Sequence, residues 1–306
     1  MTAKSTGKMQ LLATGTYLEG LAYDHKRDVI WFSDVAAGGV HGIEPDGTAV
    51  ATLNPGRMWT GGVLINDDGA VLSSGQGGIM WNDPDTGKSG WLLSEIDGAP
   101  INGINEMVPD GRGGIFFGTV DLENVIKGAE TRPTAIFRLT SDRKVLRLCN
   151  EIGFTNGMMF DAARARFYCN DTFTGTWAFD VTDQLELINR RMFLEKKDAD
   201  GMALEADGNL WITGFSSSFI TRLTPEGARL PDLELSAGPI TQLRFGGPDM
   251  RDLYINTVST DGGAALKEGD AVAGQASHLY RLRADTTGMT HPLPTFRGVE
   301  TWLRFS

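Results

Sequence analysis

The chain has 306 residues, with 39 acidic against 28 basic side chains and a formal net charge of -11. That charge repels phosphate backbones and anionic lipid surfaces, which argues against nucleic-acid and membrane partners. Hydrophobic residues make up 41% and charged residues 22%, the balance of a chain that folds around a core rather than staying disordered.

No apolar run approaches the ~20 residues that cross a bilayer. Residues 1–9 are polar, and the apolar stretch at 11–13 is too short for a secretory signal. Cys149 and Cys169 are the only cysteines, and neither has metal-ligand spacing. Two cysteines build no disulfide framework, so a reducing cytoplasm is the expected compartment. The four histidines lack zinc-type spacing, and GFSSS at 214–218 lacks the closing glycine of a serine nucleophile elbow.

The 39 glycines are in excess and gather in turn clusters. In chain order these are EPDG (44–47), NDDG (66–69), PDTG (84–87), PDGRGG (109–114), EADG (205–208) and TPEG (224–227). Between them lie short runs such as VIWF (29–32), IFF (115–117), RFY (166–168), NLWI (209–212) and DLYI (252–255). Short β-branched and aromatic runs bounded by turn residues predict an all-β protein. Only residues 122–130 suggest a short helix or a loop.

A repeat organises these runs. EGLAYDHKRDVIWFSD (19–34) and NGMMFDAARARFYCND (156–171) share an oxygen-bearing first residue, then Gly, then Asp at +5, an aromatic at +12 and Asp at +15. Further copies start at Asn105, Asp200 and Gln242, with a weaker one at Gly61. The spacings are 42, 44, 51, 44 and 42 residues. One four-stranded propeller blade takes about 40–45 residues. The expectation is a single domain over 1–306: a six-bladed β-propeller with four-stranded antiparallel blades. Residues 10–13 should pair into the last blade and close the ring.

Equivalent residues of innermost strands face one axis. Glu19, Asn105, Asn156, Asp200 and Gln242 converge there on this reading, and Gly61 leaves space. Carboxylates gathered at one point are costly unless a cation compensates them. Glu19 and Asp200 balance a divalent ion, and Asn156 adds a neutral oxygen. All-oxygen ligation suits Ca2+, Mg2+ or Mn2+, with Zn2+ or Fe2+ also open. By strand alternation, position +2 (Leu21, Val63, Met107, Met158, Met202, Arg244) should form a mainly apolar floor. Position −2 (Tyr17, Trp59, Gly103, Phe154, Asp198, Ile240) should face the pocket mouth. Asp34 and Asp171 read as turn and strand-end caps.

The motifs LEGLAYD (18–24), TNGMMFD (155–161), DADGMALEADGNLW (198–211) and FGGPDMRDLY (245–254) resemble the senescence marker protein (regucalcin)/gluconolactonase family of six-bladed propellers. The resemblance covers nearly the whole chain. It implies that Glu19, Asn156 and Asp200 hold the metal, that Asn105 contacts substrate or water, and that Asp200 is the general base. It also marks a departure. The family commonly has Arg-x-Asn-Asp where this chain has Gly103-Ile104-Asn105-Glu106, and that arginine contacts hydroxyl-rich substrates.

The resulting expectation is a metal-dependent lactonase that opens an internal ester by metal-activated water. Its substrate-binding residues are Tyr17, Trp59, Gly103, Asn105, Phe154 and Ile240, and it prefers a less polar substrate than a sugar lactone. The alternatives are an arylesterase or phosphotriesterase at the same centre, and a non-catalytic calcium-binding scaffold. The partner is a small-molecule lactone or ester. Oligomeric state is left open.

Overall fold

The computed structural model describes residues 3–4, 8–259 and 277–298. The remainder of the expected 1–306 domain lies outside the described residues. In chain order the strands are β1 (Ala3–Lys4), β2 (Gln10–Gly15), β3 (Leu18–Asp24), β4 (Val29–Asp34), β5 (Val40–Ile43), β6 (Ala49–Leu53), β7 (Thr60–Ile65), β8 (Val71–Gly75), β9 (Ile79–Asn82), β10 (Ser89–Leu93), β11 (Glu95–Ile96), β12 (Ala99–Pro100), β13 (Ile104–Pro109), β14 (Ile115–Thr119), β15 (Thr134–Leu139), β16 (Val145–Ile152), β17 (Thr155–Asp161), β18 (Arg166–Asp171), β19 (Gly175–Val181), β20 (Leu187–Leu194), β21 (Ala199–Leu204), β22 (Leu210–Gly214), β23 (Phe219–Leu223), β24 (Arg229–Glu234), β25 (Ile240–Gly246), β26 (Asp252–Thr257) and β27 (Ser277–Arg283). A short helix, α1 (Leu122–Ile126), follows β14.

The fold is all-β and propeller-like, built of antiparallel four-stranded blades. β3–β6, β7–β10, β13–β16 and β17–β20 form four separate four-stranded sheets. A nine-stranded sheet contains two further units, β21-β22-β23-β24 and β25-β26-β27-β2, joined by a bridge between Gly214 and Ile240. β1 adds in parallel to the outer edge of β24. The innermost strands β3, β7, β13, β17, β21 and β25 lie against one another in that order, and β25 returns against β3. β2 pairs antiparallel with β27, Gln10 opposite Arg281 and Gly15 opposite Ser277. The edge of the last unit is thus covered by the start of the chain.

Composition follows depth. β17 (TNGMMFD) is buried throughout, whereas Ile188, Asn189 and Arg190 on the outer strand β20 are exposed. The core sits between sheets: Phe160 and Phe167 pack against Phe116 of the preceding sheet, in one buried cluster that also holds Met158, Met202, Leu210 and Ile212.

Every innermost strand carries one extra residue against its partner. The register shifts fall at Leu18/Leu21, Thr60/Val63, Ile104/Met107, Thr155/Met158, Ala199/Met202 and Ile240/Gln242. A bulge bends the strand and re-aims its side chains. Glu19, Asn105, Asn156 and Asp200 each occupy the first bulge position, and glycine follows three of them. The glycines are needed for close approach: a Cβ on Gly20 would lie 2.2 Å from the Gly61 carbonyl oxygen.

The bulges correct two expectations. In the last unit, the register aligns Thr241 with Glu19 and Gln242 with Gly20, one residue away from the repeat as read from sequence. Simple alternation also fails for the floor. Leu21, Val63, Met107, Met158 and Met202 pack into cores between sheets. Arg244 instead reaches into the central channel, where Nε donates to the Leu21 carbonyl at 3.1 Å and Nη1 to the Met202 carbonyl at 3.3 Å.

Neighbouring units are pinned at the bulges. A small polar residue on the second strand hydrogen-bonds the bulge carbonyl of the next unit. Ser33 Oγ donates to Gly61 O at 2.7 Å and Ser74 Oγ to Asn105 O at 2.9 Å. Asn170 Nδ2 donates to Asp200 O at 2.6 Å, Thr213 Oγ1 to Thr241 O at 2.9 Å, and Asn256 Nδ2 to Glu19 O at 2.6 Å. The last of these ties the final unit to the first. Asn256 is fully buried, so Asn256→Ala strands a buried carbonyl and should cost about 1–3 kcal/mol. Urea denaturation of the variant measures this, and an unchanged midpoint contradicts it.

The segment 285–298 crosses the face opposite the bulges. Met289 N–H bonds Leu204 O, Asp67 N–H bonds Pro294 O, and Thr295 N–H bonds Gly113 O. Phe296 is fully buried there, and Asn66 holds its backbone through both N–H and C=O. Among the described residues, no helix is long and apolar enough to cross a membrane.

Candidate metal centre and pocket

Glu19, Asn156 and Asp200 come from three different sheets, all at bulges beside the channel. Asp200 is 2% exposed and Asn156 8%. The Asp200 Oδ1 atom is buried with no hydrogen-bond partner. Such an atom is costly unless something binds it. Asn156 Nδ2 donates to Thr172 Oγ1 at 3.2 Å, and that hydroxyl donates to Ala199 O at 2.9 Å. With its NH2 group so engaged, the Asn156 amide offers its oxygen. Asn105 Nδ2 donates to Thr155 O at 3.0 Å, which fixes a second amide beside the same bulges.

The electrostatics agree with a cation. Burial pushes the Glu19 carboxyl well above the usual carboxylate range, and Asp200 and then Glu106 push it further. Burial likewise pushes Asp200 well up; the Asn156 amide opposes this, while Glu106 and Asp198 add to it. Tyr17 is raised by burial, then by Glu19 and Asp200, so its hydroxyl shares their surroundings. Among the described residues, no three His, Cys, Asp or Glu side chains converge with metal-ligand spacing. The donor set here is two carboxylates and an amide, all oxygen. That set and the orphaned Asp200 Oδ1 fit a hard divalent cation.

At the mouth, the structure brings some expected residues together and removes others. Tyr17 is buried with Val35 and Val258, and Ala36 and Trp59 pack against them. Phe154 lies on the other side, held by its N–H to Asp171 Oδ1 at 2.9 Å. Phe173 and Phe215 extend that wall: ring centroids are 6.5 Å apart for Phe154–Phe173 and 5.9 Å for Phe173–Phe215. Phe173 lies two residues after β18 and Phe215 directly follows β22, both beyond the repeated segments 156–171 and 200–214. Phe173 is 60% exposed.

Gly103 contributes no open wall. A Cβ there would meet Val120 and Leu122 at 3.0 Å. Ile240 is 0% exposed and packs in the core with Trp211, Ile220 and Leu243 rather than facing the mouth. The expectation that Ile240 faces the mouth counts from Gln242, and the one-residue register difference accounts for its place in the core. Asp198 is occupied: Lys196 Nζ lies 2.7 Å from Oδ1, and Ser217 Oγ donates to Oδ2 at 2.7 Å. Asp34 accepts backbone N–H bonds from Thr16, Tyr17, Ala36 and Ala37, and Asp171 from Phe154 and the Trp177 indole. Both are loop caps, as the sequence suggests.

Sequence reasoning missed the pinning residues Ser33, Ser74, Asn170, Thr213 and Asn256. Their signal is present: each is a polar residue one position before the end of the second strand of its unit.

Residues 18–259 match the SMP-30/gluconolactonase/LRE-like region family, and the chain belongs to that family. It is 28% identical over 283 residues to pentonolactonase XacC of Haloferax volcanii, covering 90% of this chain and 91% of that one. It is 24% identical to the 6-deoxy-6-sulfogluconolactonase of Pseudomonas putida, covering 88% and 91%. Danio rerio regucalcin is 30% identical over 58% of this chain and 63% of its own length. The fold is similar to that of a calcium-binding regucalcin from Agrobacterium tumefaciens (TM-score 0.78, 18% identity, 96% of this chain and 98% of that one). It is also similar to a gluconolactonase from Xanthomonas campestris (TM-score 0.74, 20% identity, 90% and 89%).

Proposed function

We propose that this protein is a metal-dependent lactonase built as a single six-bladed propeller. The observation that carries the chemistry is the group of half-buried Glu19 with buried Asn156 and Asp200, with Asp200 Oδ1 unpartnered. The closed succession of innermost strands and the Asn256-to-Glu19 bond support six blades. Family membership and two relatives named as lactonases support the reaction class. The unpaired state of Cys149 and Cys169 supports a reducing, cytoplasmic setting.

A divalent cation bound by Glu19, Asn156 and Asp200 supplies Lewis acidity toward an ester carbonyl and lowers the pKa of water beside it. Asp200 accepts the proton of the attacking water. Asn105, fixed through Thr155, orients water or substrate. Water adds to the carbonyl carbon, the ring C–O bond breaks, and the proton passes to the departing alkoxide. The product is a hydroxy acid, with no covalent enzyme intermediate. Tyr17 and Trp59 on one side and Phe154 on the other bind the substrate's apolar surface.

These walls favour an alkyl- or aryl-substituted lactone over an aldonolactone. Apolar burial contributes about 25 cal/mol per Å2, while a hydroxyl buried without a partner costs about 1–3 kcal/mol. The kcat/KM of a purified, metal-loaded enzyme should therefore be about tenfold or more higher for an alkyl-substituted lactone than for gluconolactone. A preference for the sugar lactone removes the apolar-mouth reading. Faster turnover of aryl esters or phosphotriesters than of any lactone removes the lactonase reading. Metal binding without turnover of any of them leaves a scaffold.

A further inference from the structure

The second bulge position is glycine in four innermost strands: Gly20, Gly62, Gly157 and Gly201. In β13 it is Glu106, and in β25 it is Gln242. Their side chains meet, with Gln242 Nε2 donating to Glu106 Oε2 at 2.7 Å. β13 and β25 are not neighbours: β17 and β21 separate them one way round, β7 and β3 the other. The bond therefore spans the channel.

The glycines make room for this bridge. A Cβ on Gly62 would lie 2.3 Å from Glu106 Oε1, and one on Gly201 2.3 Å from Gln242 Oε1. Gly201 directly follows Asp200, so the bridge runs immediately beside the candidate centre. Glu106 is 3% exposed. Met107 N–H donates to its Oε1 at 2.9 Å, and Arg244 Nη2 stands 3.9 Å from Oε2. Burial pushes the Glu106 carboxyl above the usual carboxylate range, and Arg244, the Met107 N–H and the Gln242 amide oppose that rise and favour the carboxylate. Leu243 N–H donates to Gln242 Oε1 at 3.0 Å and so sets the direction of the amide. Held by these contacts, Glu106 can add a third carboxylate charge beside Gly201 and Asp200 when a cation is bound.

We propose that Glu106 is a positioning residue for the cation: held across the channel by Gln242 and backed by Arg244, its carboxylate raises divalent-ion affinity at Glu19, Asn156 and Asp200 without ligating. In a water-poor channel, a third carboxylate attracts a divalent ion more strongly than it would in bulk water. The inference rests on the metal-centre reading above.

Calorimetric titration of the chelator-treated full chain with calcium chloride and with manganese chloride tests it. The wild type should bind one equivalent. Glu106→Gln should bind about tenfold to a hundredfold more weakly, the effect usual for residues behind a metal ligand. Glu106→Asp keeps the charge and should stay within about threefold of wild type, which a purely structural role does not predict. Should Glu106→Gln not fold, Glu106→Met is a second neutral replacement with the same expectation. Wild-type affinity in the neutral variant, or equal losses in the Gln and Asp variants, overturns the role of Glu106 alone. No binding to the wild type removes the metal centre itself and this inference with it.

Discussion

Asp200→Asn should lower kcat/KM for the best lactone by about 10^3-fold or more, the upper range for loss of a general base. The replacement keeps the shape of the side chain, and the Asn170 bond to the Asp200 carbonyl does not involve the carboxylate. The fold should therefore survive, which circular dichroism checks. Two losses combine in this variant. The base that accepts the proton of water is gone, and so is one of the two charges that balance the cation.

Glu19→Gln separates these losses. Glu19 supplies charge and an oxygen but not the base in this scheme. Its variant should need more metal yet recover most of kcat at saturating metal, whereas Asp200→Asn should not recover. The measurement is kcat/KM against metal concentration for both variants. Retention of activity within about tenfold by Asp200→Asn at saturating metal contradicts the general-base role, since the weakest effects of such a loss are about 10^2-fold. Equal recovery by both variants contradicts the division of roles.

The legible parts of this molecule are those that repeat. Glu19, Asn156 and Asp200 each precede a glycine at a strand bulge, and the glycine is required because the next unit's backbone passes within contact distance. A rule imposed in three places by the same steric need leaves a motif. The last unit obscured it because Thr241 brings no amide or carboxylate and Gln242 replaces the glycine. Counting from Gln242 moved the register by one and carried Ile240 from the core to the mouth. The floor departs from expectation for related reasons: alternation holds along a regular strand, a bulge resets it, and the last strand is out of step by one residue. Arg244 lies in the channel because it stands two residues after Gln242 and aligns with Met159, whereas Met158 and Met202 align with Leu243, and all three pack between sheets.

Other features leave no local pattern. The Glu106–Gln242 bond joins residues 136 positions apart. The run at 285–298 has no periodicity of its own and is positioned by loops from several sheets. Phe173 and Phe215 belong to loops that follow the second strands, where only closure of the ring sets them beside Phe154.

Metal should raise the melting temperature more as pH rises, by an increment that grows by several degrees from pH 5 to pH 8. In the metal-free fold, Glu19 and Asp200 both have pKa values raised well above the ordinary carboxylate range, first by burial. The native state then binds more protons than the unfolded chain at pH values above about 4. Their contribution is fully present below that range and is lost as pH rises toward the raised values. A bound cation compensates the ionised pair, so the metal-loaded protein escapes this loss. At a hundred times the dissociation constant, the ion itself adds about 2.7 kcal/mol, and competition with protons reduces that figure at pH 5. His291 acts in the opposite sense. Burial, with Arg244 beside it, lowers its pKa to about 4, so its contribution is lost as pH falls from about 6.5 toward 4. Because His291 titrates with or without metal, it cancels in the difference between paired melts in calcium and in chelator. The double variant Glu19→Gln/Asp200→Asn provides the control, and its paired melts should coincide at every pH. An increment in the wild type that is flat from pH 5 to pH 8 would mean that the two carboxyls are not what the cation compensates.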